Sequence, residues 1–112
     1  MKSIKRLYYS ESIKKIHHNR IRKQLENGNP KMKKDIHVII LKETGNNLFE
    51  YLELSDYMNL YEVTTDFILI GAVTSYTEFT EFVTNFMNRC LRDNVSIEKT
   101  AIIKFVSELK EF

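Results

Sequence analysis

The most regular pattern of apolar and polar positions lies in the middle of the chain, at residues 67–93. Residues 67–73 form an uncharged run, Phe-Ile-Leu-Ile-Gly-Ala-Val, which is typical of a β-strand covered on both faces of its sheet. Apolar residues then recur with the period of one helix face. They are Phe79, Phe82, Val83, Phe86, Met87, Cys90 and Leu91. The pattern predicts a central strand and then a helix over 77–93.

The start of this helix carries a capping signal. Ser75 and Glu78 have the spacing of a capping box, in which the serine hydroxyl accepts the glutamate N–H and the glutamate side chain returns to the serine N–H. A helix N-terminus also favours anions, so the hydroxyls of Thr74, Ser75 and Thr77 are candidate anion ligands. Ordinary capping is the alternative, because Glu78 satisfies the helix start and would repel an anion.

Shorter patterns predict the remaining strands and the last helix. Residues 35–42 are expected to form a second strand. Residues 48–54 fit either a strand that closes a hairpin or the start of a helix, and a strand followed by a short helix over 56–61 is favoured. Residues 4–9 fit an extended arm or an edge strand. A final helix, capped by Ser96, is expected to run nearly to the end of the sequence.

The pattern of apolar residues in the N-terminal third predicts a helix with a narrow apolar stripe. The stripe consists of Ile13, Ile16, Ile21 and Leu25. Ser10 or Ser12 is a candidate cap for this helix. Residues 27–30, Asn-Gly-Asn-Pro, form a stop signal, because Gly accepts the left-handed backbone at a helix end and Pro prevents continuation.

These elements predict an α+β (or small α/β) domain with the order α-β-β-α-β-α-α. Helices would pack on a three- to four-stranded sheet, and the connection through residues 54–67 would be a crossover between parallel strands. The 112 residues have the usual size of one domain. We therefore expect a single domain, with a basic N-terminal arm or helix over 1–34 and an acidic body over 35–112. So small a sheet exposes its edges, which favours a homodimer.

Charge divides the chain more sharply than its net charge of +2 indicates. Residues 1–34 hold eleven Lys and Arg against two acids, a net of +9, whereas residues 35–112 hold six against thirteen, a net of −7. Such asymmetry predicts a basic segment that meets an acidic partner, either nucleic acid or an acidic protein surface. Tyr8 and Tyr9 are candidates for stacking on bases. The candidate phosphate contacts are Lys14, Lys15, His18, Arg22, Lys23, Lys31, Lys33 and Lys34.

Other function classes find little support in the sequence. Cys90 is the single cysteine, which fits a reducing compartment and a cytoplasmic protein. His17 and His18 are adjacent, so on a helix they point about 100° apart, and no metal-ligand spacing is present. No catalytic signature such as GxSxG occurs, and no apolar run approaches the ~20 residues of a membrane span. We expect a protein without enzymatic activity, metal, cofactor or membrane contact.

Two short segments carry a resemblance to a known group of proteins. Residues 47–50 read Asn-Leu-Phe-Glu after an apolar strand, and residues 70–78 read Ile-Gly-Ala-Val-Thr-Ser-Tyr-Thr-Glu, with Phe-Val at 82–83. In these residues, over about 36–90, the chain resembles small uncharacterised proteins carried on plasmids, phages and conjugative transposons of low-GC Gram-positive bacteria. The resemblance implies an accessory or regulatory role and carries over no binding residues. The basic N-terminal third lies outside it.

Three hypotheses about function follow. The leading one is a non-enzymatic accessory or regulatory protein whose basic N-terminal segment binds RNA or DNA. The alternative is a protein–protein interaction module, or homodimeric structural protein, whose basic helix packs on an acidic surface. The third is an anion or small-molecule binder at residues 75–78. Under the first, replacing Lys14, Lys15, Arg22 and Lys23 by Glu should abolish nucleic-acid binding and leave folding intact.

Overall fold

The computed structural model describes residues 2–31, 35–110 and 112. In chain order its elements are β1 (Lys2–Tyr9), α1 (His18–Glu26), β2 (His37–Lys42), β3 (Glu50–Glu53), α2 (Leu54–Val63), β4 (Phe67–Val73), α3 (Tyr76–Arg92) and α4 (Lys99–Glu108), with a 3-10 turn at Lys15–His17 before α1. The predicted α+β class is confirmed, and residues 4–9 belong to a strand. Within the described residues, no helix combines the length and apolar character needed to cross a membrane.

The four strands form one mixed sheet in the order β1-β4-β2-β3. β1 pairs with β4 in parallel, and β2 pairs antiparallel with both β4 and β3. β3 therefore runs parallel to β4 with β2 between them, and α2 is the crossover that joins the two. The hairpin predicted for residues 48–54 is confirmed by the pairing of β2 with β3. β1 and β3 are the edges of the sheet.

β4 lies at the centre of the core, and all seven of its residues are buried. Neighbouring residues of a strand point to opposite faces of the sheet. The ring of Tyr8 packs on Phe82 of α3 with 4.7 Å between centroids, whereas Tyr9 stacks on His18 of α1 at 3.8 Å. Helices α1 and α3 therefore cover opposite faces, as the uncharged sequence of β4 predicts.

Two tyrosines of α2 hold the end of α1. The Tyr57 hydroxyl donates to the carbonyl oxygen of Leu25, and the Tyr61 hydroxyl donates to that of Glu26 at 2.8 Å. The last carbonyls of a helix have no N–H partner further along it. The Tyr61 hydroxyl supplies a donor for Glu26, and the Tyr57 hydroxyl adds a second donor for Leu25, whose carbonyl also accepts the N–H of Gly28 at 3.1 Å. Burial raises the pKa of Tyr57, with smaller contributions from Tyr61 and Glu26. The Tyr57 hydroxyl therefore stays protonated and remains a donor.

Aromatic residues pack α3 and α4 against the other side of the sheet. Phe86 of α3 contacts Phe49 and Phe105, with ring centroids 4.9 and 5.9 Å apart. The ammonium group of Lys99 donates to three carbonyl oxygens of the β2–β3 turn, at 2.7–3.2 Å, those of Thr44, Gly45 and Asn47. Lys99 thus fixes the start of α4 to the hairpin.

The predicted start of the last helix is wrong. α4 begins at Lys99, its N-cap residue is Glu98, and it ends at Glu108. The reason lies in the end of α3, where Asn94 takes a left-handed backbone with φ 57° and the N–H of Val95 donates to the carbonyl of Cys90 at 2.8 Å. Because this turn extends to Val95, Ser96 still belongs to the connection between the helices.

The predicted start of the first helix is also wrong. Neither Ser10 nor Ser12 caps α1, because the N–H of Ile13 donates to the Ser10 carbonyl at 3.0 Å and the chain turns there. The 3-10 turn follows, and α1 begins only at His18. The predicted apolar stripe spans this break. Ile13 is therefore buried, whereas Ile16 is 82% exposed.

Candidate nucleic-acid interface

Basic side chains surround α1 and point into solvent. The exposed ones, which together we call the basic surface, are Lys14, Lys15, Arg20, Lys23 and Lys31. The four lysines form no ion pair with any residue in the described ranges. Arg20 contacts Nδ1 of His17 at 3.2 Å. The basic surface therefore presents five exposed cations that form no ion pair with the part of the chain that the structure describes.

Three of these cations line a cleft of about 460 Å³ beside α1. The cations are Lys14, Arg20 and Lys31. Apolar side chains of Ile13, Ile21 and Ile36 also line it, each less than a tenth exposed. Lys15 and Lys23 lie outside this cleft. The basic surface thus has two parts: the cleft, with three cations at its wall, and the two lysines outside it, Lys15 and Lys23, which we call the outer face.

Arg22, one of the predicted phosphate contacts, is engaged in the fold. Where the ladder between β1 and β4 is interrupted, its guanidinium donates to the carbonyl oxygens of Ile4 at 2.8 Å and Lys5 at 2.9 Å. It also pairs with Glu26 at 3.3 Å, and its side chain is only 26% exposed. Arg22 therefore holds the irregular part of β1 against α1.

His18, another predicted contact, is also used within the fold. Its ring stacks on Tyr9, its Nε2 lies 3.0 Å from the carbonyl oxygen of Ile13, and its own carbonyl accepts from the Tyr9 hydroxyl at 2.9 Å. The rings of Tyr8 and Tyr9 both pack on protein side chains. The predicted stacking of bases on these two tyrosines therefore competes with contacts that stabilise the fold.

The remaining predicted phosphate contacts are either exposed or outside the described residues. Lys14, Lys15, Lys23 and Lys31 are exposed as expected, and Lys33 and Lys34 lie outside the described residues. Arg20 was not among the predicted contacts. Its spacing could have indicated it, because His17, Arg20 and Gln24 recur at helical intervals on the side of α1 that borders the cleft.

Glu78 occupies the position where the sequence suggested an anion. Ser75 caps α3 as predicted, because its hydroxyl accepts the Glu78 N–H at 3.2 Å. The Glu78 carboxylate does not return to the Ser75 N–H as the predicted capping box requires; it accepts from the N–H of Thr74 at 2.7 Å and from the Thr74 hydroxyl at 2.8 Å. It also accepts from the Ser12 hydroxyl at 2.8 Å. The carboxylate thus joins α3 to the segment before α1. Thr77, the other predicted anion ligand, is exposed.

These hydrogen bonds change the acidity of Glu78. Burial alone would raise its pKa, but the N–H of Thr74 and the hydroxyls of Ser12, Ser10 and Thr74 lower the pKa to about 2. Hydrogen bonds to the charged form favour that form. The side chain is therefore an anion near neutral pH, and its charge lies at the helix N-terminus, where a positive dipole stabilises it.

The described residues contain no group of three or more His, Cys, Asp and Glu side chains that is placed to bind a metal ion. No match to this chain was found among protein-family models, curated proteins or solved structures. What the protein can bind is therefore indicated by its own chemistry. The most distinctive chemistry is the basic surface and its cleft.

Proposed function

We propose that this protein is a non-enzymatic accessory or regulatory protein that binds nucleic acid, RNA or DNA, through the basic surface. The observation that supports this proposal is the imbalance of exposed charge around α1. Residues 10–31 present five exposed cations and one exposed acid, Glu11. The other acid, Glu26, is paired with Arg22. A polyanion with regularly spaced phosphates is the partner that such a surface fits.

The packing of the basic third favours this proposal over one rival. In that rival, the basic side chains neutralise the acidic body of the same subunit. An ion pair between Lys2 and Glu43, 3.2 Å long, joins the two parts, and Arg22 bonds within the basic third itself. The lysines of the basic surface take no part in this packing. An acidic surface of another protein remains the alternative to nucleic acid as the partner of the basic surface.

The proposal can be tested by reversing charges at matched positions. Lys15→Glu with Lys23→Glu changes the outer face of the basic surface, and Lys104→Glu with Lys110→Glu makes the same change of charge at exposed positions of the acidic body. Fluorescence anisotropy of labelled RNA and DNA strands would give the dissociation constants. We expect the first pair to weaken binding about tenfold or more and the second pair to weaken it less than about threefold, because phosphate contacts are local.

Two results would contradict the proposal. One is equal weakening by both pairs, which would mean that only the total charge matters. The other is a wild-type protein that binds neither RNA nor DNA at low salt. In the second case the basic surface would be tested against acidic protein partners by pull-down. Circular dichroism of each variant would show that the fold is retained.

A homodimer, a cytoplasmic location and an origin on a mobile element stay predictions. The two edge strands, β1 and β3, are what favours a dimer, because an edge presents backbone groups that a second copy can pair with. Light scattering of the purified protein would distinguish a dimer from a monomer. A regulatory role fits a small basic protein of a mobile element, but it depends on the nucleic-acid proposal.

A further inference from the structure

The cleft beside α1 combines an apolar lining with cations, unlike the outer face. The apolar part consists of Ile13, Ile21 and Ile36, which are 6%, 3% and 8% exposed. The cations that line the same cleft extend into solvent. A ligand that matches both parts has a flat apolar group and a phosphate. Nucleotides have this combination, since a base stacks through its face and the guanidinium of an arginine can add to that stacking.

The size of the cleft limits what can enter it. Its volume of about 460 Å³ falls within the roughly 300–1,000 Å³ of small-molecule sites. That volume accommodates one nucleotide but not a segment of double helix. In a duplex the bases are paired and stacked, so a base must be extruded, at an energetic cost, before it can enter a pocket. A single strand offers its bases more readily.

Polar groups around the cleft position the Lys31 backbone and the Arg20 side chain. The side-chain oxygen of Gln24 accepts the backbone N–H of Lys31 at 2.7 Å, which fixes the chain after α1 beside the helix. Arg20 is oriented by its contact with His17. Asp35 also lines the cleft, and its charge disfavours a ligand that is anionic throughout, such as free phosphate, while its oxygens can accept from the amino group of a base.

From these observations we infer that the cleft accepts one nucleotide of a single strand, with its base on the isoleucines and its phosphate against Lys14, Arg20 and Lys31. This inference rests on the proposed function and specifies the class of nucleic acid. Lys15 and Lys23, outside the cleft, then contact other phosphates of the same strand. The protein therefore prefers single-stranded nucleic acid to the duplex of the same sequence.

The test compares two pairs of substitutions that remove the same charge. Arg20→Gln with Lys31→Gln removes two cations from the cleft, and Lys15→Gln with Lys23→Gln removes two from the outer face. The probes are a labelled single-stranded 12-mer, its duplex, adenosine 5′-monophosphate and inorganic phosphate. Anisotropy measures the two oligonucleotides, and calorimetry measures the two small anions. Circular dichroism confirms folding of both variants.

The inference predicts three results. Wild type binds the strand about tenfold or more tightly than the duplex, because extruding a base from the duplex costs free energy. The cleft pair weakens strand binding at least about threefold more than the outer pair, although the loss of charge is equal. Adenosine monophosphate binds wild type and the outer pair but not the cleft pair, and it binds more tightly than phosphate.

Each contrary result has a separate meaning. Equal binding of strand and duplex, with equal losses in both pairs, would overturn the inference and leave the proposed function standing. Binding of adenosine monophosphate in the cleft, without binding of either oligonucleotide, would support the cleft as a nucleotide site and refute the proposed function. If neither the oligonucleotides nor adenosine monophosphate bind, both fail.

Discussion

Arg22 and Lys23 are neighbours in α1 with opposite surroundings. The guanidinium of Arg22 bonds backbone oxygens of β1, whereas the ammonium group of Lys23 is exposed to solvent. Adjacent residues of a helix point about 100° apart, so one faces the strand and the other faces water. The sequence cannot separate them, because the role of Arg22 depends on the irregular pairing of β1. If Arg22 were replaced by Glu together with the three lysines, a loss of binding could not be distinguished from a loss of folding.

Removing the Arg22 guanidinium should destabilise the fold. Arg22→Ala leaves the carbonyl oxygens of Ile4 and Lys5 without their donor, and hydrogen bonds from charged groups contribute about 1.5–3 kcal/mol each in buried settings. Because this side chain is 26% exposed, we expect a loss of about 1–3 kcal/mol in the free energy of unfolding by urea. Lys23→Ala is the control and should change it by less than about 0.5 kcal/mol. Equal effects of the two substitutions would refute the structural role of Arg22.

Glu78 should give the protein a specific sensitivity to acid. Its pKa is lowered from 4.5 to about 2 in the folded state, so its ionised form stabilises the fold. That contribution is complete above about pH 4.5 and is lost as the pH falls towards about 2. Glu78→Gln removes it. In urea unfolding between pH 2 and 6, the difference between wild type and this variant should shrink as the pH falls. A difference that stays constant would contradict the assignment, and Glu81→Gln, on the exposed face of α3, is the control.

Among the elements, the ends of α1 show what sequence can and cannot predict. The stop at residues 27–30 is confirmed, because Gly28 takes a left-handed backbone with φ +70°. Glycine is favoured there for local reasons that the sequence displays. At the other end, the hydroxyl of Ser12, a predicted cap, instead donates to Glu78, 66 residues away. No local pattern encodes such a contact, so the predicted cap was misplaced.

β4 shows a similar division between local and distant causes. Its uncharged run predicts a buried strand, and Gly71 near its end indicates either a close approach by another backbone or a bulge. The close approach is present, because a Cβ at Gly71 would collide with the backbone carbonyl of Tyr8 in β1, and the pairing with β2 is also irregular beside Gly71. Which strand makes that approach, and that it is parallel to β4, depends on the topology of the whole sheet.

Gly28 provides a prediction at the scale of helix packing. Gly28 and Gly45 both have a positive φ, +70° and +87°. The ring of Tyr61 lies where a Cβ of residue 28 would be, whereas nothing lies within 4 Å of a Cβ at residue 45. Gly45→Ala should therefore cost about 1 kcal/mol for its backbone alone. Gly28→Ala should cost about 1–3 kcal/mol more, because α2 must move away from α1. Equal losses in thermal unfolding would show that Tyr61 yields freely.

In the molecule as a whole, the boundary in charge between the basic third and the acidic body is not a boundary in the fold. The basic third and the acidic body are distinct in composition, yet β1 belongs to the same sheet as the body and α1 packs on α2. The asymmetry of charge was visible in the sequence. The division of its cations into a partly buried Arg22 that braces β1, an outer face and a cleft was not, because it depends on which side chains the sheet and α2 cover.

The measurement that tests the central claim most directly is the salt dependence of nucleic-acid binding by the wild-type protein. Anisotropy of a labelled single strand would be recorded at several salt concentrations. If four or five cations of the basic surface neutralise phosphates, the logarithm of the association constant should fall with the logarithm of the salt concentration with a slope of about −3 to −3.5. A slope near zero, or no binding at the lowest salt, would contradict the account.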